Sequence, residues 1–225
     1  MARPRYPKHQ GPLPPPLPPE TRTVGQLVAE TIRLYGRRPI PALAIGLGPA
    51  ALAVALAETE GTARVVVALV AGPFLLSTCL AAAMLVAHGG DARRLPIAIA
   101  AGIPAFLPLA VSRLYVFAGI YLVVLAWLAL VGLAVPAALV EGRGLLSALA
   151  RGVRLARADY VHAVGSLATL AIVIFLTGLV LFLLLAGVGA EALPIAAFLS
   201  LVVLSPIFFL GTAILYLDQA ARVRH

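Results

Sequence analysis

Ile40 to Ala57 is a run of 18 residues with no charge. At 1.5 Å per residue, a helix of that length covers about 27 Å, close to the hydrocarbon thickness of a bilayer. The pattern then repeats. Apolar stretches occupy about Val65–Ala87, Leu95–Val111, Tyr115–Val140, Val161–Ala186 and Leu193–Leu217, and short segments between them hold the charges. The chain has 225 residues, of which 62% are hydrophobic and 12% charged. A soluble domain is about half apolar and a quarter charged, so the solvent for this much apolar surface is lipid. Inside a bilayer each backbone amide must be paired within its own segment, which makes these runs helices. The expected fold is all-α, an integral membrane six-helix bundle, with residues 39–217 as the membrane domain.

The region 95–140 is the least regular part, because Pro96, Pro104 and Pro108 weaken its first half as a helix. Charge resolves it. A single crossing there would put Arg143, Arg151, Arg154 and Arg157 on the outer side, against the rule that basic loops stay in the cytosol. Two crossings, with Arg113 at the outer turn, place fifteen of the seventeen basic residues inside and leave only Arg64 and Arg113 outside. Both termini are then cytosolic. The net charge of +8 is explained by topology and anionic head groups, and nucleic acid is not an expected partner. One lysine against sixteen arginines, with abundant alanine, suggests a GC-rich bacterial genome, and hence a bacterial inner membrane.

Two segments outside the spans have helical periodicity. Residues 23–38 open on Thr23 and Gln26, a capping box, and repeat apolar residues at Val24, Leu27, Val28, Ile32 and Tyr35. Residues 145–159 place Leu145, Leu146, Leu149, Val153 and Ala156 within one arc, beside Arg143, Arg151, Arg154 and Arg157. Both are expected to lie in the cytosolic interface with the apolar face toward lipid. At an offset of 121 they align Val28 with Leu149, Ile32 with Val153 and Arg33 with Arg154, and each then enters a span. This reads as a repeated unit in one orientation or as the common look of basic amphipathic helices. Residues 1–22 form a proline-rich tail, expected to be disordered or extended, and 218–225 a basic cytosolic tail.

Three pieces resemble the membrane domain attached to some bacterial glycerophosphoryl diester phosphodiesterases, which also occurs as a stand-alone protein. They are Thr23-Val24-Gly25-Gln26-Leu27 through Arg33-Leu34-Tyr35, Pro136-Ala137-Ala138-Leu139-Val140-Glu141-Gly142 with Arg151, Arg154 and Leu155, and Leu215-Tyr216-Leu217-Asp218 with Arg222 and Arg224. The resemblance implies a six-span helical domain. It does not imply phosphodiesterase activity, which belongs to a separate soluble barrel. The ending departs from the pattern, since Gln219, Ala220 and Ala221 stand where a more charged run is expected, and the segment after Arg94 is shortened.

No catalytic constellation is legible. His9, His88, His162 and His225 are not spaced as metal ligands, Cys79 sits inside an apolar run as a small hydrophobe, and phosphate-loop and nucleophile-elbow patterns are missing. No cofactor and no enzymatic activity are expected. The distinctive ionisable pair is Glu141 and Asp218, each ending an apolar run at the inner face. With Arg151, Arg154, Arg157 and Arg222 they form a candidate structural charge network, in which Arg154 or Arg157 of the second amphipathic helix would pair with the acids. The rival reading is solvated helix-end charges. The functional expectation is a non-enzymatic anchoring, assembly or regulatory module at the cytosolic leaflet, with anionic lipid and a membrane protein as partners. The alternative is a transporter or channel for a small or lipidic solute. Ala44/Gly48 and Gly46/Ala50 have the small-xxx-small spacing that lets helices approach closely.

Overall fold

A computed structural model describes residues 18–112, 120–186, 189 and 192–223. The fold is all-α. Helix α1 is Val24–Arg37, α2 Pro39–Glu58 and α3 Gly61–Ala87. Helix α4 is Leu95–Ser112, and α5 is Ile120–Val140 with a turn at Gly132 and Leu133. Helix α6 is Leu145–Ala158, α7 Tyr160–Ala186 and α8 Ala192–Arg222. Six of these, all but α1 and α6, are long and apolar enough to cross a membrane. Arg113 and the start of the fourth run at Tyr115 lie outside the described residues, as does nearly all of the proline-rich tail. The tail itself ends earlier than expected. Pro19–Thr21 forms a 3-10 turn against α8, and Arg22 is buried.

Helix α8 is the hub. It packs on α7, α2 and α3 along its length and on α1 and α6 near its C-terminus. From Phe209 to Tyr216 every side chain is buried. Helices α3 and α4 form the other close pair, and α5 lies between α4 and α7. Val131 to Leu139 of α5 is buried at every position, because α6 covers its break on the one side left open. There Gly152 meets backbone directly, and a Cβ on it would stand 2.6 Å from the Ala134 amide nitrogen.

Prolines inside spans cost the helix a hydrogen bond, since the residue four earlier loses its donor. In lipid that carbonyl needs another partner. Pro108 leaves the Pro104 carbonyl free, and the Trp127 indole N–H of α5 donates to it at 2.8 Å. Pro49 frees Ile45, whose carbonyl accepts from the Cys79 thiol of α3 at 3.4 Å. Pro206 frees Val202, and that carbonyl points at Gly46 of α2, where a Cβ would be 2.0 Å from the oxygen. Only a residue without a side chain permits this approach, which suits a Cα–H···O contact. Pro73 follows a π-helical turn, Val67–Ala71, that loosens the α3 backbone just ahead of it. Thus one of the prolines that weaken the third run in isolation, Pro108, is matched by a donor on the neighbouring helix. Gly46 and Ala50 are buried toward the bundle, whereas Ala44 is exposed.

The two amphipathic helices repeat each other in detail. Both are 14 residues long, begin and end 121 residues apart, and are followed after one residue by a span. The linking residues Arg38 and Asp159 share one backbone conformation, φ −135° with ψ 62° and φ −149° with ψ 74°. Buried positions correspond too: Leu27 with Ala148 and Thr31 with Gly152. The expected apolar residues divide between the bundle and the outside, and Leu27 is fully buried. Ile32, Leu145 and Leu146 are exposed, Leu146 by 79%, while Thr31, outside the expected set, is fully buried. Its hydroxyl donates to the Leu27 carbonyl at 2.8 Å, so burial costs little. The bundle takes the strips of Leu27 with Thr31 and of Ala148, Gly152 and Leu155, and leaves Ile32, Leu145 and Leu146 facing outward.

Candidate functional site

The polar residues collect at one end of the bundle, the near end, where α1, α6 and the C-terminal turns of α8 meet. Arg38 donates to the Val86 carbonyl at the close of α3, which brings the α1–α2 junction to the same level. Glu58, Glu60 and Arg64 mark the far end.

Two carboxylate centres flank the end of α8. Glu141 closes α5. It accepts from Arg143 Nε at 2.5 Å, from Arg151 Nε of α6 at 2.9 Å and from the Tyr216 hydroxyl of α8 at 3.0 Å. Burial alone would raise its pKa, but the hydrogen bonds from Arg143, Arg151 and Tyr216 and the Arg151 charge prevail and hold the carboxyl below its ordinary range. Glu141 therefore joins α5, α6 and α8 as a fixed anion. The second centre is Asp218, fully buried on α8, paired with Arg22 Nη1 at 2.5 Å. Burying an ion pair is costly unless its geometry is good, and removing one member strands the other.

A third contact closes the set. Asp159 links α6 to α7 and caps α7, its Oδ1 accepting from the His162 amide at 3.1 Å. Its Oδ2 pairs with Arg222, and its carbonyl accepts from Gln219 Nε2 at 3.1 Å. Arg222 also donates to the Arg22 carbonyl at 2.9 Å and lies 3.4 Å from His162 Nε2. The strap before α1, the α6–α7 joint and the end of α8 are thereby clasped together.

Of the six residues expected to form a charge network, four make ion pairs here: Glu141, Arg151, Asp218 and Arg222. Glu141 takes Arg151 and Arg143 in place of Arg154 or Arg157. Asp218 takes an arginine from the other end of the sequence. Arg154 and Arg157 are exposed and make no ion pair among the described residues. They lie on the arc of α6 opposite its buried strip. Sequence reasoning left Arg22 in the tail and did not assign Asp159 or Gln219. Asp159 had one signal, its place three residues before His162 at the start of a span, where an acid caps a helix.

The fold and this clasp define a multi-pass membrane protein with a layer of two short helices at one end of the bundle. No protein family, curated protein or solved structure matches the chain. Among the described residues no three His, Cys, Asp or Glu side chains are grouped to hold a metal ion.

Proposed function

We propose that the protein is a non-enzymatic module of the bacterial inner membrane that anchors, assembles or regulates a membrane partner at the cytosolic leaflet. The observation that carries this reading is the repeated near-end layer. Helices α1 and α6 dock on the bundle through equivalent faces and leave Ile32, Leu146, Arg37, Arg154 and Arg157 outward. Eleven arginines against six acids stand at that end among the described residues, and the acids at Glu141, Asp159 and Asp218 are each paired. The excess positive charge suits an anionic head-group surface, each arginine there contributing roughly 1 kcal/mol. The same charge asymmetry supports cytosolic termini. Glu141, held as an anion by two arginines, fits a structural role better than proton transfer. The reading also takes the chain as related to the membrane domain found beside some bacterial glycerophosphoryl diester phosphodiesterases, on the residue pieces that carry that resemblance.

Native mass spectrometry of the protein, gently extracted from its own membrane, tests this. The expected result is a stoichiometric protein partner whose retention falls when Arg154 and Arg157 are both replaced by Gln. Recovery of the protein alone, or of a partner indifferent to that change, contradicts the reading. Orientation is checked separately. A membrane-impermeant maleimide added to intact cells should label Glu60→Cys and spare Leu146→Cys.

A further inference from the structure

The far half of the bundle holds a cavity of about 420 Å³. Leu52 and Leu56 of α2, Ala68 of α3, Leu109 of α4, Ile174 of α7 and Leu201 of α8 form its wall. Among the described residues that line it, only Tyr121 has a polar side-chain group. We propose that this cavity is a binding site for one acyl chain of a membrane phospholipid. The proposal is independent of the anchoring reading and concerns the opposite end of the molecule.

The cavity contrasts with how the same helices pack nearer the clasp. There Gly46 meets the Val202 backbone, Gly48 meets Cys79 and Gly102 meets Ser77, all too close for an added Cβ. Beyond Pro49 the small residues no longer interlock. Ala53, Ala68, Gly72 and Ala110 come from three helices and border a common space that no side chain fills among the described residues. Gly72 directly follows the π-helical turn of α3, so the wall is built where the backbone departs from regular helix. Protein interiors are close-packed, with few voids larger than a water molecule, so a space of this size calls for an occupant.

The chemistry of the wall selects that occupant. An internal water needs two to four polar partners, and one hydroxyl does not supply them. A helix from a partner is too large, because the cavity volume equals roughly one helical turn, about 10–12 Å across and 5.4 Å long. An unbranched hydrocarbon chain is slender enough, and at this depth it is the surrounding solvent. Entry is lateral. Leu52, Leu56, Leu109, Ile174 and Leu201 are only partly buried, and Tyr121 is 41% exposed. The cavity therefore opens toward lipid instead of being sealed inside the bundle.

The test is photolabelling of the full chain in vesicles of phosphatidylethanolamine and phosphatidylglycerol, with a trace of phosphatidylglycerol carrying a diazirine near the end of one acyl chain. Peptide mapping should place adducts on Leu52–Leu56, Leu109 and Leu201 as well as on the outer surface. Filling the cavity with Ala53→Phe and Ala68→Phe together should cut the cavity adducts at least tenfold and leave those on Phe74 and Leu122, exposed on the outer surface, unchanged. Adducts confined to Phe74, Leu122 and similar residues in the wild-type protein overturn the proposal, whatever the variant does. So do cavity adducts that persist undiminished in a folded filled variant.

Discussion

Gly46→Ala should destabilise the protein by about 2 kcal/mol. The new Cβ would stand 2.0 Å from the Val202 carbonyl oxygen, 2.7 Å from its carbon and 2.9 Å from its Cα. Ordinary contact begins at 3.4 Å, and all three atoms are backbone, so no side chain can swing aside. Helices α2 and α8 must separate by more than an ångström. Overpacking of this kind costs about 1–3 kcal/mol. The Val202 carbonyl, already without a helical donor because of Pro206, loses its Cα–H contact for about 0.5–1 kcal/mol more. Alanine's better helix propensity returns about 1 kcal/mol. Gly36→Ala is the control, because nothing lies within 4 Å of its added Cβ, and it should stabilise by up to about 1 kcal/mol. Thermal unfolding in detergent can be followed through reaction of Cys79, 5% exposed when folded, with a thiol-reactive fluorophore. At about 2–4 °C per kcal/mol for a chain of this size, Gly46→Ala should lower the midpoint by about 4–8 °C. If Gly46→Ala instead matches Gly36→Ala in sign, the backbone contact between α2 and α8 is refuted.

Other perturbations address the remaining links. Trp127→Phe strands the Pro104 carbonyl and should cost about 1–3 kcal/mol, most of which Pro108→Ala should restore by returning a backbone donor; no rescue in the double variant would mean the indole bond does not replace the missing one. Arg22→Ala leaves Asp218 buried without that partner and should cost about 3–5 kcal/mol, whereas Arg22→Ala with Asp218→Ala should cost clearly less than the two single changes added together. Glu141 has a lowered pKa in the folded state, so its contribution is fully present above the ordinary carboxylate value of 4.5 and is lost as pH falls through the lowered one. The midpoint gap between wild type and Glu141→Gln should therefore be widest near neutral pH, about 2 kcal/mol, and close in acid; a gap that widens on acidification contradicts the assignment. Arg154→Ala, at an exposed position without an ion pair, should change stability by less than about 0.5 kcal/mol, measured in the same unfolding assay.

Hydropathy and periodicity are local properties, and what depends on them is readable along the chain. The six apolar helices, the two amphipathic helices and the Thr23–Gln26 cap follow from neighbours within a turn or two of helix. Glu141 and Asp218 stand out for the same reason, as acids at the ends of apolar runs. Their partners do not. Arg22 lies 196 residues from Asp218, and Tyr216 lies 75 from Glu141, separations at which no sequence period connects them. The burial of Thr31 was equally illegible, because a polar side chain off the apolar stripe is read as facing outward. What decides there is how closely two backbones can approach, and that depends on a small residue meeting a gap on another helix. The same holds for the prolines. Sequence alone identifies Pro49, Pro108 and Pro206 as losses of a donor. Only the packing of one helix against the next brings Cys79, Trp127 and Gly46 to the carbonyls those prolines set free, since hydrogen bonds are satisfied in space and not along the chain.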